Sequence, residues 1–244
     1  MSNFVLQPKH ALQMAVGVSL LILLGGAWLV LCQWYPRPFW QASGVFGIAA
    51  YAALAHLGIT ALLLLPWRNR LKNAHGVRAD TVFLVFVMIC AALFSLSFLF
   101  AGRPVALVFV VDRVALVRAN EVRTSELAFA EAFRKNLRLS GPLPLIAARP
   151  SSDAERLDSI QLAMAGFDLH QRPSFWVDIN AQRRQLKQKT RGIEELGTTI
   201  GGLLVRRDRT PANWSIFLPM AGVNGNWVLL LDDELTAFNP AKIE

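Results

Sequence analysis

The sequence predicts a membrane α-helical protein with three transmembrane helices followed by a small α+β domain. Only 17% of its 244 residues are charged and 54% are hydrophobic, whereas about 25% of the residues of a soluble domain are charged. Three long stretches without Asp, Glu, Lys or Arg lie in the first 102 residues. The rest of the chain alternates short apolar runs with polar segments, which is typical of an α+β domain.

The uncharged stretches contain 27 residues after Lys9, 30 after Arg37 and 22 after Asp80. A helix needs about 20 apolar residues to cross a hydrocarbon core of about 30 Å. A buried soluble helix is the alternative interpretation, but three such runs in succession favour membrane spans. We therefore predict spans near 11–31, 44–66 and 81–100 in a membrane region of residues 1–102, and a separate domain in residues 103–244.

The first span is predicted to be an uncleaved anchor, because it is longer than the apolar region of a signal peptide and no small-x-small cleavage site follows it. Basic residues in short loops set the orientation. Five of them lie in the tail before span one and in the loop between spans two and three: Lys9, Arg68, Arg70, Lys72 and Arg78. This count predicts a cytoplasmic N-terminus and places everything after Phe100 outside the cytoplasmic membrane.

The formal net charge of +8 raises the question of nucleic-acid binding. Residues 1–102 contribute +5, mostly at span flanks, and residues 103–244 contribute +3. The most basic run, Arg183–Arg191, is predicted to be the solvated face of a polar helix at Asn180–Leu196, with contact to lipid headgroups or an acidic partner as the alternative. Nucleic-acid binding is disfavoured, because it needs a larger sustained basic field.

Aromatic residues and prolines follow the first span. Trp34, Tyr35, Phe39 and Trp40 favour an aromatic belt at the membrane interface, and Pro36 and Pro38 cannot continue a helix. The segment from Trp34 to Pro38 is predicted to be an interfacial turn that ends the span. In the second span, His56 is an ionisable residue among apolar ones. Ionisable residues inside a membrane often serve a function such as proton transfer. Packing against a neighbouring helix is favoured over a proton relay, because no span carries a partner carboxylate.

The elements of the following domain are predicted in order from apolar periodicity. A buried strand covers Val105–Val111 and resumes at Val114–Val117. Helices are predicted at Thr124–Leu139 and Ser152–Ala165, the latter ended by Gly166. Strands at Trp214–Met220 and Trp227–Leu231 flank an Asn-Gly turn signal, and Ala237–Lys242 is expected to be a trailing segment.

No catalytic pattern stands out in the sequence. It has no Gly-rich phosphate loop, His-Glu-x-x-His, Cys-x-x-Cys or Gly-x-Ser-x-Gly motif. The carboxylates at Asp232, Asp233 and Glu234 suit a hard cation in principle, but a solvated turn is the favoured interpretation. We therefore expect no enzyme activity, no cofactor, no metal and no small-molecule substrate.

Several motifs together resemble the type IV pilin accessory proteins of the TfpX/TfpZ type. After span one comes Trp34-Tyr35-Pro36-x-Pro38, followed by Ala42 and Gly44. Asp80 opens span three, which contains Ala91-Ala92-Leu93. The most specific motif is Arg103-Pro104-Val105-x-Leu107-Val108-Phe109-x-x-Asp112-Arg113, and Phe217–Met220 and Trp227–Asp232 resemble the closing strands of the family. Span two departs from the family pattern, with Leu54 and Ile59 where Asp and Pro are usual.

The resemblance implies a multi-pass protein of the bacterial inner membrane with a periplasmic domain. It further implies a chaperone-like helper that promotes assembly of a cognate type IV pilin. Ten residues are candidates for partner binding or for the junction with the outer domain: Trp34, Tyr35, Pro36, Pro38, Asp80, Arg103, Pro104, Phe109, Asp112 and Arg113. Among them, Arg103, Asp112 and Arg113 are predicted to organise that junction, with a structural salt bridge and turn as the alternative. The competing class is a membrane-anchored structural subunit of another envelope complex.

Overall fold

The computed structural model describes residues 8–35, 39–70, 77–130, 144–195, 214–221, 226–235 and 237–243. The chain divides into two compact units. The helical unit comprises Met1–Cys32 and Val45–Phe100, and the sheet unit comprises Gln33–Gly44 and Ala101–Glu244. Residues 33–44, which the sequence places in a loop of the membrane region, therefore belong to the sheet unit.

The helical unit contains three long apolar helices. Helix α1 spans Pro8–Trp28 and continues as a π-helix at Leu29–Trp34; after the short helix α2 at Phe39–Ala42, α3 spans Val45–Arg70 and α4 spans Val77–Ala101. By length and composition, each can cross a membrane, with candidate stretches at Val16–Trp34, Val45–Leu62 and Val82–Ala101. At most 22% of any stretch is buried. This much exposed apolar surface is unusual for a soluble protein. The three predicted spans are confirmed as helices.

The sheet unit contains eight described strands in one mixed sheet. They are β1 Pro104–Val110, β2 Arg113–Arg118, β3 Leu145–Ala148, β4 Trp176–Asp178, β5 Arg191–Gly192, β6 Ile216–Ala221, β7 Asn226–Leu231 and β8 Phe238–Ile243. Their order is β4-β3-β1-β2-β6-β7-β8, and β5 pairs with one end of β6. The β1–β3 and β2–β6 pairs are parallel, and the others are antiparallel.

Helix α5 spans Asp153–Met164 and begins as its sequence predicts. The Ser152 hydroxyl accepts a hydrogen bond from the Glu155 amide at 3.2 Å, which satisfies one of the free donors of the first turn. The negative charges of Asp153 and Glu155 in that turn interact favourably with the positive end of the helix dipole. Gly166 follows the helix with a φ of +90°, a conformation that glycine adopts without steric cost.

Three predictions for the sheet unit need correction. The polar helix predicted at Asn180–Leu196 is not continuous: a 3₁₀-helix at Ile179–Gln182 leads into α6 at Arg183–Lys189, and β5 and a second 3₁₀-helix at Ile193–Glu195 follow. The helix predicted from Thr124 begins as a 3₁₀-helix at Thr124–Ala130, and the rest lies outside the described residues, as does the Asn-Gly turn. The trailing segment is strand β8, which pairs with β7 along its length.

Both faces of the sheet are covered, which explains why β1 is apolar at consecutive positions rather than alternate ones. On one face, Leu107, Leu116 and Leu229 form a core with α2 and with Leu186 of α6. On the other face, Val108, Val117, Ile146 and Trp176 form a second core. The chain segment between α1 and α3 thus helps to cover the sheet.

Candidate functional site

The segment that follows the first helix is buried in the sheet unit. The exposed fractions of Tyr35, Phe39 and Ala42 are 2%, 5% and 0%, and the last two lie in the same core as Leu107 and Phe109. The sequence favours an aromatic belt for this segment, but the rings of Tyr35 and Phe39 face protein. The short helix α2 therefore acts as a cover for one face of the sheet.

Tyr35 lies beside two arginines at the end of the sheet where β1 begins; we call Tyr35, Arg103 and Arg118 the proximal corner. Burial raises the pKa of the Tyr35 phenol to about 12, although Arg118 and Arg103 partly counter it. Burial also lowers the pKa of Arg103, and the neighbouring Tyr35 opposes this shift. Arg103 is held there by its carbonyl, which accepts a hydrogen bond from the Ala119 amide at 2.9 Å. The proximal corner therefore brings a neutral phenol and two guanidinium groups together near the start of β1.

Asp112 and Arg113 lie at the opposite end of β1, at the tip of the hairpin that joins it to β2. Their side chains form an exposed ion pair at 3.0 Å. One β1 length, about 20 Å for seven residues, separates them from Arg103. Asp112 and Arg113 thus form a turn and a local ion pair, which is the structural alternative stated for them, and the role of the three residues at the junction stays a prediction.

The hairpin tip has an unusual backbone conformation. Val111 has a φ of +56° and is 64% exposed. A β-branched residue is strongly disfavoured in this region, and such strain is concentrated at functional sites in proteins. The sequence motif around Asp112 thus includes a strained, exposed turn.

The other candidate residues are placed in different parts of the fold. Phe109 is 2% exposed and belongs to the core beneath α2, and Pro104 is buried at the start of β1. Trp34 is the last residue of the π-helix. Asp80 lies in the first turns of α4, and Pro36 and Pro38 lie outside the described residues.

A buried charge network is the main polar feature that the sequence does not reveal. The Arg172 guanidinium is 9% exposed and pairs with Glu126 at 3.1 Å and with Asp158 of α5 at 2.9 Å. Arg123 lies 3.2 Å from the Glu126 carboxylate, and the Ser174 hydroxyl donates to it. Because residues that pair directly in it are up to 48 positions apart, local patterns give no signal for the network, which links α5 to the 3₁₀-helix at Thr124–Ala130.

His56 lies within the helical unit and is 4% exposed. Its Nε2 is 3.2 Å from the Ser19 hydroxyl of α1. A cavity of about 140 Å³ lies beside it and is lined by residues of all three long helices, among them the small residues Gly26, Ala49 and Ala53. The contact with α1 is the packing role that the sequence analysis favours for this histidine.

Among the described residues, no group of three or more His, Cys, Asp or Glu side chains is arranged to hold a metal ion. The carboxylates at the end of β7 form a turn: Asp232 accepts from the Ala237 amide, and Asp233 accepts from the Ser215 hydroxyl at 2.7 Å. The carboxylates of Asp232 and Asp233 therefore accept hydrogen bonds that stabilise this turn.

The fold and these sites define a chain with three helices apolar enough for a membrane and one α+β unit. Two proteins of Dichelobacter nodosus are similar to it. The fimbrial assembly protein of serogroup E1 is 22% identical over 236 residues, which cover 93% of this chain and 91% of that protein. The fimbrial assembly protein of serogroup I is 21% identical over 238 residues, with coverages of 94% and 91%. No family model matches the chain, and no solved structure matches it.

Proposed function

We propose that this protein is a non-enzymatic membrane accessory protein that assists the assembly or stability of a cognate type IV pilin. The observation that carries the proposal is the similarity to fimbrial assembly proteins over 93% of the chain. A similarity confined to the apolar helices would reflect little more than shared hydrophobicity. Coverage of this extent includes the sheet unit, whose sequence is not constrained by a membrane.

In this proposal the three helices lie in the bacterial inner membrane with the N-terminus in the cytoplasm and the sheet unit in the periplasm. The five basic residues of the tail and the second loop support this orientation. The exposed apolar side chains of α1, α3 and α4, such as Leu21, Tyr51 and Phe94, would then contact lipid or another membrane helix. The small residues around the cavity beside His56 would allow such a helix to approach closely.

Two separate contacts with a pilin would let the protein assist assembly without catalysing a reaction. The apolar helix of an unassembled pilin would pack against the helical unit, while the globular head of the pilin contacts the sheet unit. Two modest contacts on one chain reinforce each other, because the first raises the effective concentration for the second. Neither contact requires a catalytic residue or a cofactor.

Deletion of the gene tests the proposal. We expect surface pili to be lost, or reduced by about tenfold or more, while the pilin is still synthesised; expression of the full chain from a plasmid should restore them. The measurement combines electron microscopy with immunoblots of sheared and cell-bound pilin. Wild-type piliation in the deletion strain would contradict the proposal and favour a structural subunit of another envelope complex.

A further inference from the structure

A cleft in the sheet unit opens beside α5, at the strained end of β1. Its volume is about 360 Å³, and its wall includes Phe109, Val111, Arg149, Ile160 and Gln182. We call it the α5 cleft. Three separate features of the cleft bear on what it could bind.

The first observation is a buried hydrogen-bond donor without an acceptor. Gln182 is 5% exposed, and its Nε2 has no hydrogen-bond partner among the described residues. Buried amide groups are nearly always bonded, because a buried unpaired donor loses its interactions with water and gains none. An oxygen atom of a ligand in the cleft would supply the missing acceptor.

The second observation is the positive charge of the cleft. Arg149 is exposed and takes part in no ion pair among the described residues. Arg156, on the α5 side, makes one loose pair at 3.6 Å with the exposed Asp153. A guanidinium group beside an amide donor recognises a carboxylate, and Phe109 and Ile160 add an apolar wall.

The third observation is an uncovered apolar face on α5. None of its twelve residues is buried, and all twelve are described. Leu157, Ile160 and Met164, with Phe167 just beyond, are 64%, 58%, 85% and 44% exposed. Residues at this spacing lie on one side of a helix, and most of the stability of a protein helix comes from covering such a side. The face is therefore an apolar surface that is open to a partner.

The charges of α5 favour a protein partner over a lipid surface. The helix carries three acidic residues, Asp153, Glu155 and Asp158, and one basic residue, Arg156. Bacterial lipid surfaces that attract proteins by charge are anionic and attract basic segments. An acidic helix would be repelled by such a surface, whereas a protein can place its own carboxylate at Arg149 and apolar side chains along Leu157 and Ile160.

We propose that the α5 cleft and the adjacent apolar face of α5 bind a segment of the globular head of the pilin that carries a carboxylate next to an apolar side chain. The carboxylate accepts hydrogen bonds from Gln182 and Arg149, and the apolar side chain packs on Ile160. The inference rests on the proposed function and names the surface through which the sheet unit would act.

Photo-crosslinking in the intact cell tests this surface. A benzophenone amino acid is placed at Ile160 in the full-length protein, and the product is probed with an antibody against the major pilin of the same strain. Asn120, which is exposed and follows the opposite end of β2, provides the control position. We expect a pilin adduct from position 160 and little or none from position 120.

Two substitutions then separate recognition from folding. Gln182→Leu removes the unpaired amide at similar volume, so the protein should stay as stable as wild type while the adduct decreases. Arg149→Gln removes an exposed charge, and the adduct should fall by about tenfold or more, as expected for the loss of one charge-assisted hydrogen bond. Arg184→Gln, an exposed arginine outside the cleft wall, is the matched control and should have no effect.

The outcomes separate this inference from the proposed function. If Gln182→Leu and Arg149→Gln leave the adduct at the wild-type level, or if position 160 couples only to lipid or to a second copy of the chain, the cleft is not the pilin site. The deletion strain then still decides whether the protein serves piliation. A fall in stability with Gln182→Leu would also contradict the inference, because it would give the amide a structural role.

Discussion

Phe39→Ala provides the sharpest test of the fold, because it asks whether the segment after α1 is part of the sheet unit. Phe39 is 5% exposed and lies in the core with Leu107 and Phe109. If the segment is instead an interfacial turn in contact with lipid, removal of the ring should cost the sheet unit little. If α2 covers the sheet, the substitution leaves a cavity in the main core.

The expected magnitude follows from the burial of the ring. An aromatic side chain buries about 150–250 Å², which corresponds to about 4–6 kcal/mol at 25 cal/mol per Å². Because this area is measured against an extended chain, it is an upper bound, and measured Phe→Ala changes in cores are about 3–5 kcal/mol. We expect the free energy of unfolding of the sheet unit to fall by that amount, a large part of the about 5–15 kcal/mol available to a domain.

The assay is urea unfolding of the detergent-solubilised full-length protein. At each urea concentration, a short pulse of protease measures the fraction of the sheet unit that is still folded. With a urea dependence of about 2 kcal/mol per M, the midpoint should fall by about 2 M. Gln41→Ala, in the same short helix but exposed, is the control and should change the free energy by less than about 0.5 kcal/mol. Equal midpoints for the two variants would refute the assignment of α2 to the core.

Three further predictions use the same preparation. Arg172→Ala leaves a buried carboxylate without its main partner and should cost about 3–5 kcal/mol; a loss below 1 kcal/mol would show that the network is solvated. Ser152→Ala should weaken the first turn of α5 by about 1 kcal/mol, seen as faster amide exchange there and nowhere else. Because the folded pKa of Tyr35 is raised to about 12 and the unfolded pKa is about 10, this phenol should leave stability unchanged below pH 10 and lower it as the pH rises from 10 to 12. A phenolate titration of the Tyr51→Phe variant near pH 10 would contradict the last prediction.

Elements with strong local signals were predictable. The three long helices follow from uncharged length alone. Strands β1, β2, β6 and β7 follow from short runs of β-branched and apolar residues, and α5 follows from Asp153 and Glu155 in its first turn and the terminal Gly166. In each case the residues that determine the element lie within it or next to it.

Elements that depend on distant partners were not predictable. Strands β3 and β4 are only four and three residues long and are stabilised by pairing across the chain. Strand β8 contains Pro240, which argues against a strand except at a sheet edge, where β8 lies. The burial of Tyr35 and Phe39 could not be predicted either. A protein core and a membrane interface both favour aromatic rings, so the local sequence is the same in the two cases.

The candidate site shows the same division. The motif from Arg103 to Arg113 identifies a structured hairpin, but its two ends are separated by the length of β1, which spacing along the sequence does not reveal. The Arg172 network and the α5 cleft join residues from several elements. They become visible only when the sheet brings those elements together.

Purification of the tagged full-length protein from solubilised membranes tests the central claim most directly. The quantity measured is the amount of cognate major pilin recovered with it, compared with an equally abundant tagged membrane protein of three spans. The account predicts clear enrichment of pilin over that control. Pilin at the control level, with the protein intact and at its normal abundance, would contradict the account.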